Sequence, residues 1–115
     1  MCTRAELDRI LNDFVEGTKG IFGDKLKDVI LFGSYARGDY DTESDVDIAV
    51  LVDIPREDER NYTDDIVALM SNVDKKYHYA VLLSPIVLSY NFFEEWRETI
   101  QFYNTVKNEG VRIIA

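Results

Sequence analysis

Apolar residues recur along this chain with two different periods, and the alternation between them predicts the order of its elements. Ala5, Leu7, Ile10, Leu11, Phe14 and Val15 are spaced as on one side of a helix. Thr3-Arg4-Ala5-Glu6 in front of them has the form of a capping box, a hydroxyl at the N-cap with a carboxylate three residues on. This first amphipathic helix is expected to end at about Gly17 or Gly20. Leu26 to Phe32 is a short, largely apolar run closed by Gly33, a buried-strand pattern, and Ser34 to Gly38 reads as a tight turn or one helical turn. From Asp45 to Val52 the period is two, with Val46, Ile48, Val50 and Val52 on one side and Asp45, Asp47, Ala49 and Leu51 on the other.

Pro55 stops that strand, and Glu57 to Lys76 carries Ile66, Val67, Leu69, Met70 and Val73 as the apolar stripe of a second long helix. Tyr79 to Ser84 reads as a third strand closed by Pro85. Ser89 or Asn91 can cap a last helical stretch through Asn108, with Phe92, Phe93, Trp96, Ile100, Tyr103 and Val106 inward and Gly110 as its stop. Val111 to Ile114 is expected to add a short edge strand. Helices alternating with strands give an α/β (α+β) fold, a mixed sheet of three to five strands packed against about four helices.

Composition changes this picture in three ways. With 115 residues, 46% of them apolar, residues 1–115 are expected to form a single domain with a real core. Thirteen basic against 22 acidic residues leave a net charge of −9, which argues against direct nucleic-acid binding and against an anionic membrane surface. Cys2 is the only cysteine, so neither an intrachain disulfide nor a cysteine-based metal site is available. No run is long and apolar enough for a signal peptide or a membrane span, and a cytoplasmic location is expected. An enzyme this short leaves little room for a substrate domain of its own and is expected to be completed by a partner.

The charge is unevenly spread. Between Arg37 and Arg56 there is no basic residue, yet Asp39, Asp41, Glu43, Asp45, Asp47 and Asp53 all fall there. Acids so dense repel one another unless they are solvated or share a cation. Asp45 and Asp47, two apart on a strand, leave the same face with Cα atoms roughly 6.5–7 Å apart, suited to converging on Mg²⁺. Upstream, Gly33 lets backbone approach a phosphate, Ser34 can donate to its oxygens, and Arg37 can add positive charge. Two other motifs fail on these residues. Gly33 and Gly38 have P-loop spacing, but Asp39-Tyr40 stands where Lys-Ser/Thr is required. From Asp39 a calcium loop would need Gly where Ser44 stands and a bidentate Glu where Val50 stands.

The segment from Gly33-Ser34 through Ala36-Arg37-Gly38 to Ser44-Asp45-Val46-Asp47 resembles the signature of the minimal nucleotidyltransferases, the smallest members of the DNA polymerase beta-like superfamily. The tail is similar too: Ser84-Pro85, an aromatic-rich helix, Phe102-Tyr103-Asn104, then Lys107 to Val111. The resemblance implies Asp45 and Asp47 as Mg²⁺ ligands and catalytic residues, with Gly33 and Ser34 holding the triphosphate of ATP and Arg37 as a further phosphate contact. It implies attack of an acceptor hydroxyl on the α-phosphorus with loss of pyrophosphate. Relatives of this size include antitoxins paired with a helical HEPN-type ribonuclease toxin, some of which adenylylate a tyrosine on it. The implied partners are thus a nucleoside triphosphate and such a toxin, and a homo-oligomer is compatible with the sequence.

The superfamily commonly adds a third carboxylate on a later strand. Tyr77 to Ser84 holds no acid, Asp74 and Glu94 lie before and after it, and His78 is a candidate base or an ordinary packing residue. A binding-only antitoxin with a degenerate site is the alternative. Phe92, Phe93, Trp96, Phe102 and Tyr103 can either pack on the sheet or present a face to a partner.

Overall fold

A computed structural model describes residues 3–41 and 43–113, which form five α-helices, two 3-10 helices and one four-stranded sheet. Cys2, Thr42 and the expected last residue of the edge strand, Ile114, lie outside the described residues. Helix α1 spans Arg4–Phe22, and the Thr3 hydroxyl accepts the Glu6 N–H at 3.1 Å, the first half of the expected capping box. The helix runs through Gly17 and Gly20 and stops at Gly23, whose φ of +57° is a conformation that favours glycine. Gly17 has another use: a side chain there would run into Leu69 of the opposing helix.

Strand β1 (Leu26–Phe32) leads through Gly33 into a single helical turn, α2 (Ser34–Arg37), as expected. Strand β2 (Val46–Val52) follows, antiparallel to β1, with Phe32 opposite Asp47 and Leu31 opposite Ile48. The expected helix from Glu57 divides in two: Arg56–Tyr62 is a 3-10 helix, and α3 covers Thr63–Lys76. Of its stripe, Ile66 and Val73 are buried, Leu69 and Met70 pack at the edge of the core, and Val67 is exposed.

The third strand is shifted from its expected position. Tyr77 to Val81 form turns in which His78 and Tyr79 both take positive φ, and β3 covers Leu83–Ser89, with Pro85 inside it. Strand β3 lies at one edge of the sheet order β3-β2-β1-β4 and runs parallel to β2. An edge strand needs only part of its N–H groups for the ladder, so a proline there need not end it. The last helix also differs from its expected form. Ser89 caps α4 (Tyr90–Trp96), residues 97–100 break the rod, and α5 covers Gln101–Glu109. Strand β4 (Val111–Arg112) pairs antiparallel with β1.

Both faces of the sheet are covered. Val46, Ile48, Val50 and Val52 join Val29 and Leu31 beneath α1 and α3. Ala49, Leu51, Ile30 and Leu88 pack beneath α4 and α5 against Phe93, Tyr103 and Val106. Strand β2, buried on both sides from Ile48 to Val52, fixes everything attached to its ends.

Gly110 does stop α5, though not through a left-handed turn: its φ is −73°. A side chain at this position would run into the Val106 carbonyl and the Ile30 methyl, so here glycine provides clearance. Gly110→Ala should therefore lower unfolding stability by about 1–3 kcal/mol, measured by urea denaturation, whereas an unchanged midpoint would show that β4 shifts at no cost.

Candidate active site

The carboxylates emerge where β2 begins. Asp47 lies within the strand, opposite Phe32 on β1 and beside Ser84 on β3. Alternation puts Asp47 on the side of the sheet shared with Ala49 and Leu51. Asp45 is exposed just before the strand and Asp47 half-buried within it. Burial is the largest cause holding the Asp47 carboxyl above its ordinary value; the neighbouring Asp45 pushes the same way, and Arg37 opposes them. Asp47 is thus acted on by both Asp45 and the Arg37 cation of α2.

Gly33 meets Asp47 directly. It has φ +75° and its backbone lies against Asp47, so that a side chain at Gly33 would fall on the Asp47 carboxylate. Ser34 is the first residue of α2 and adjoins this contact. The Gly33 carbonyl accepts N–H groups from Ala36 at 3.1 Å and Arg37 at 3.0 Å, closing the turn. Gly38, in the left-handed region at φ +88°, ends it by donating its N–H to Ser34 at 2.8 Å. Arg37 is exposed and paired with Asp39 and, across 72 residues, with Glu109 at the end of α5, each at 3.2 Å.

The acid-rich stretch resolves into different tasks. Asp41 accepts the Glu43 N–H at 2.9 Å and the Ser44 hydroxyl at 3.3 Å, and its own N–H bonds Ser44 Oγ at 3.0 Å. This Asx-type turn shapes the loop that delivers Asp45, and an Asp followed three residues later by Ser was its sequence signal. Asp53 does not belong to the site. It sits past the far end of β2, where it accepts from Asn91, roughly 20 Å along the strand from Asp47.

Sequence spacing did not single out Asp74. It is 7% exposed on α3, and its side chain accepts the Leu83 N–H at 3.3 Å. Burial pushes its carboxyl upward, the Leu83 bond works against this, and Asp45 adds to the rise. His78 is exposed on the turn after α3, and Glu94 pairs with Arg97 on α4. Of the aromatic tail, Phe93 and Tyr103 are buried, while Trp96 and Phe102 remain about 40% exposed.

Among the described residues, no three His, Cys, Asp or Glu side chains gather closely enough to enclose a metal ion. The donor set instead suits Mg²⁺, a hard ion commonly held by one or two carboxylates plus substrate phosphates and water. Asp45 and Asp47 would hold it, next to the Gly33-Ser34 turn.

The sequence pattern of the nucleotidyltransferase domain matches residues 11–107. The chain belongs to the nucleotidyltransferase domain family. It is 40% identical over 111 residues to a candidate protein adenylyltransferase of Methanocaldococcus jannaschii, covering 94% of this chain and 99% of that protein. A second candidate protein adenylyltransferase of that organism is 33% identical over 103 residues, covering 90% of this chain and 93% of the relative. In fold, the chain is similar to the crystal structure of a candidate nucleotidyltransferase from Sulfolobus solfataricus. That match has a TM-score of 0.56 and 22% identity, and covers 94% of this chain and 79% of the other. Among the described residues no helix is long and apolar enough to cross a membrane.

The raised Asp47 value has a measurable consequence. The folded state holds this proton more tightly than the unfolded chain, so the associated stability is fully present below pH 3.8 and is lost as pH rises through the folded value. Asp47→Asn should melt a few degrees above wild type at pH 7 without divalent metal, with the gap closing towards pH 3.8. A thermal series by circular dichroism tests this; a variant less stable at pH 7 would contradict it.

Proposed function

We propose that residues 1–115 form one minimal nucleotidyltransferase domain that moves AMP from ATP to a hydroxyl on a partner protein, with Mg²⁺ as cofactor. The observation that carries this reading is Asp47 lying against the Gly33 turn, with Asp45 two residues away near enough to act on its carboxyl. In this reading Asp45 and Asp47 are the metal ligands, and Gly33, Ser34 and Arg37 receive the triphosphate. Bound Mg²⁺ would neutralise charge on the phosphates and polarise the α-phosphorus.

The reaction balances simply. The acceptor oxygen bonds to the α-phosphorus, the bridging α–β P–O bond breaks, pyrophosphate leaves, and the acceptor's proton passes to solvent. The chain's own part is positioning. The half-buried Asp47 is held by β2, Asp45 by the Asp41–Ser44 turn, and Arg37 by Asp39 and Glu109 until phosphate oxygens compete for it. Protein adenylylation is favoured over other transfers because both M. jannaschii relatives bear that name across nearly the whole of their length. The family resemblance points further, to a HEPN-type ribonuclease toxin as acceptor and to this chain as a cytoplasmic antitoxin.

A second reading is favoured by one observation. Strand β3 carries no acid from Leu83 to Ser89, and the residue beside Asp47 there is Ser84. The chain would then neutralise its partner by binding alone.

Incubation with labelled ATP, Mg²⁺ and the toxin should label the toxin, and Asp45→Asn should cut the rate by at least about a hundredfold. Equal labelling by the variant would overturn the transferase reading. Full neutralisation by an unlabelling Asp45→Asn/Asp47→Asn double variant would establish the binding-only one.

A further inference from the structure

Asp74 is a buried carboxylate that the proposed transfer chemistry does not use, and its bonds lead straight to the metal pair. At the end of α3 its main-chain carbonyl accepts the Tyr79 N–H at 2.8 Å, and its side chain accepts the Leu83 N–H at 3.3 Å. Asp74 thus ties both ends of the turn between α3 and β3. That turn contains His78 and Tyr79 at φ +56° and +58°, a conformation most side chains avoid and one that persists only where surrounding structure enforces it. The residue next to Leu83 completes the chain of bonds: the Leu82 carbonyl accepts the Val46 N–H at 2.9 Å. Val46 stands between Asp45 and Asp47, and Leu83 is its register partner.

Resting on the nucleotidyl-transfer reading above, we propose that Asp74 is a positioning residue: it fixes the β2–β3 junction at Val46 and so holds Asp45 and Asp47 at the spacing that shares one Mg²⁺. It is not a third metal ligand. Helix α3 packs on the sheet face of Val46 and Ile48, whereas Asp47, between them on β2, leaves the opposite face. No third carboxylate joins the pair among the described residues. The side chain serves as a hydrogen-bond acceptor of fixed length, which asparagine can reproduce and glutamate, one methylene longer, cannot.

The test uses the full chain with Asp74→Asn, Asp74→Glu and Asp74→Ala. Two quantities are read: hydrogen exchange at the Val46 amide without ligand, and the Mg²⁺ concentration for half-maximal binding of a non-hydrolysable ATP analogue. Asp74→Asn should match wild type in both. Asp74→Ala and Asp74→Glu should speed Val46 exchange and raise the Mg²⁺ requirement about tenfold, the scale of losing one buried hydrogen bond. A glutamate variant that outperforms the asparagine variant would overturn the proposal in favour of a role for the charge, as would an alanine variant identical to wild type. If alanine does not fold at the assay temperature, the order of asparagine and glutamate alone decides. The Val46 readout needs neither nucleotide nor transfer, so a wild type that transfers nothing would count against the functional reading and leave the Asp74 result standing.

Discussion

The carboxylate of Asp47 lies against the backbone of Gly33, and the rest of the site depends on that contact. A position without a side chain and with positive φ lets the end of β1 turn sharply while the neighbouring strand brings a negative charge against it. The turn that would hold phosphates and the carboxylates that would hold metal are therefore one structure. Neither part can shift without the other.

Such a contact is costly, and the core offsets the cost. Asp47 is partly desolvated beside a second negative charge, which is why its carboxyl is pushed upward. It stays in place because β2 continues into five consecutive buried residues sandwiched between α1 and α3 on one face and α4 and α5 on the other. Displacing Asp47 along the strand would slip every one of them to the wrong face. Nearby polar bonds refine the arrangement: Asp41 with Ser44 shapes the loop before Asp45, and Glu109 with Asp39 orients Arg37. Fold stability and site electrostatics thus meet at the first residues of one strand.

How much of this was legible in the sequence follows from how local each signal is. The strands Leu26–Phe32 and Val46–Val52, the turn at Ser34 and the cap at Thr3 depend on residues within a few positions, and they stand as expected. Phe32 pairs with Asp47, so the antiparallel pairing of β1 with β2 brings the adjoining Gly33 against the Asp47 carboxylate. Pro85 misled because proline ends a central strand but not an edge one, and edge position is a tertiary fact. Gly17 misled because its reason is the nearness of Leu69, and the true stop at Gly23 is recognised by its backbone angle. Asp74 was named but its place could not be read, because its partner Leu83 comes close only when the chain turns back from α3 into β3. The wide acidic stretch looked like one cluster, yet strand extension carries Asp53 to the opposite end.

In the proposed function, phosphate turn and carboxylate pair act as a unit through Gly33, and that dependence is open to measurement. It is tested most directly by Mn²⁺ binding to Gly33→Ala, followed by electron paramagnetic resonance in the presence of a non-hydrolysable ATP analogue, with far-ultraviolet circular dichroism confirming the fold. This single added methyl should remove metal and nucleotide binding together. A folded Gly33→Ala protein that retains wild-type affinity for Mn²⁺ would contradict it.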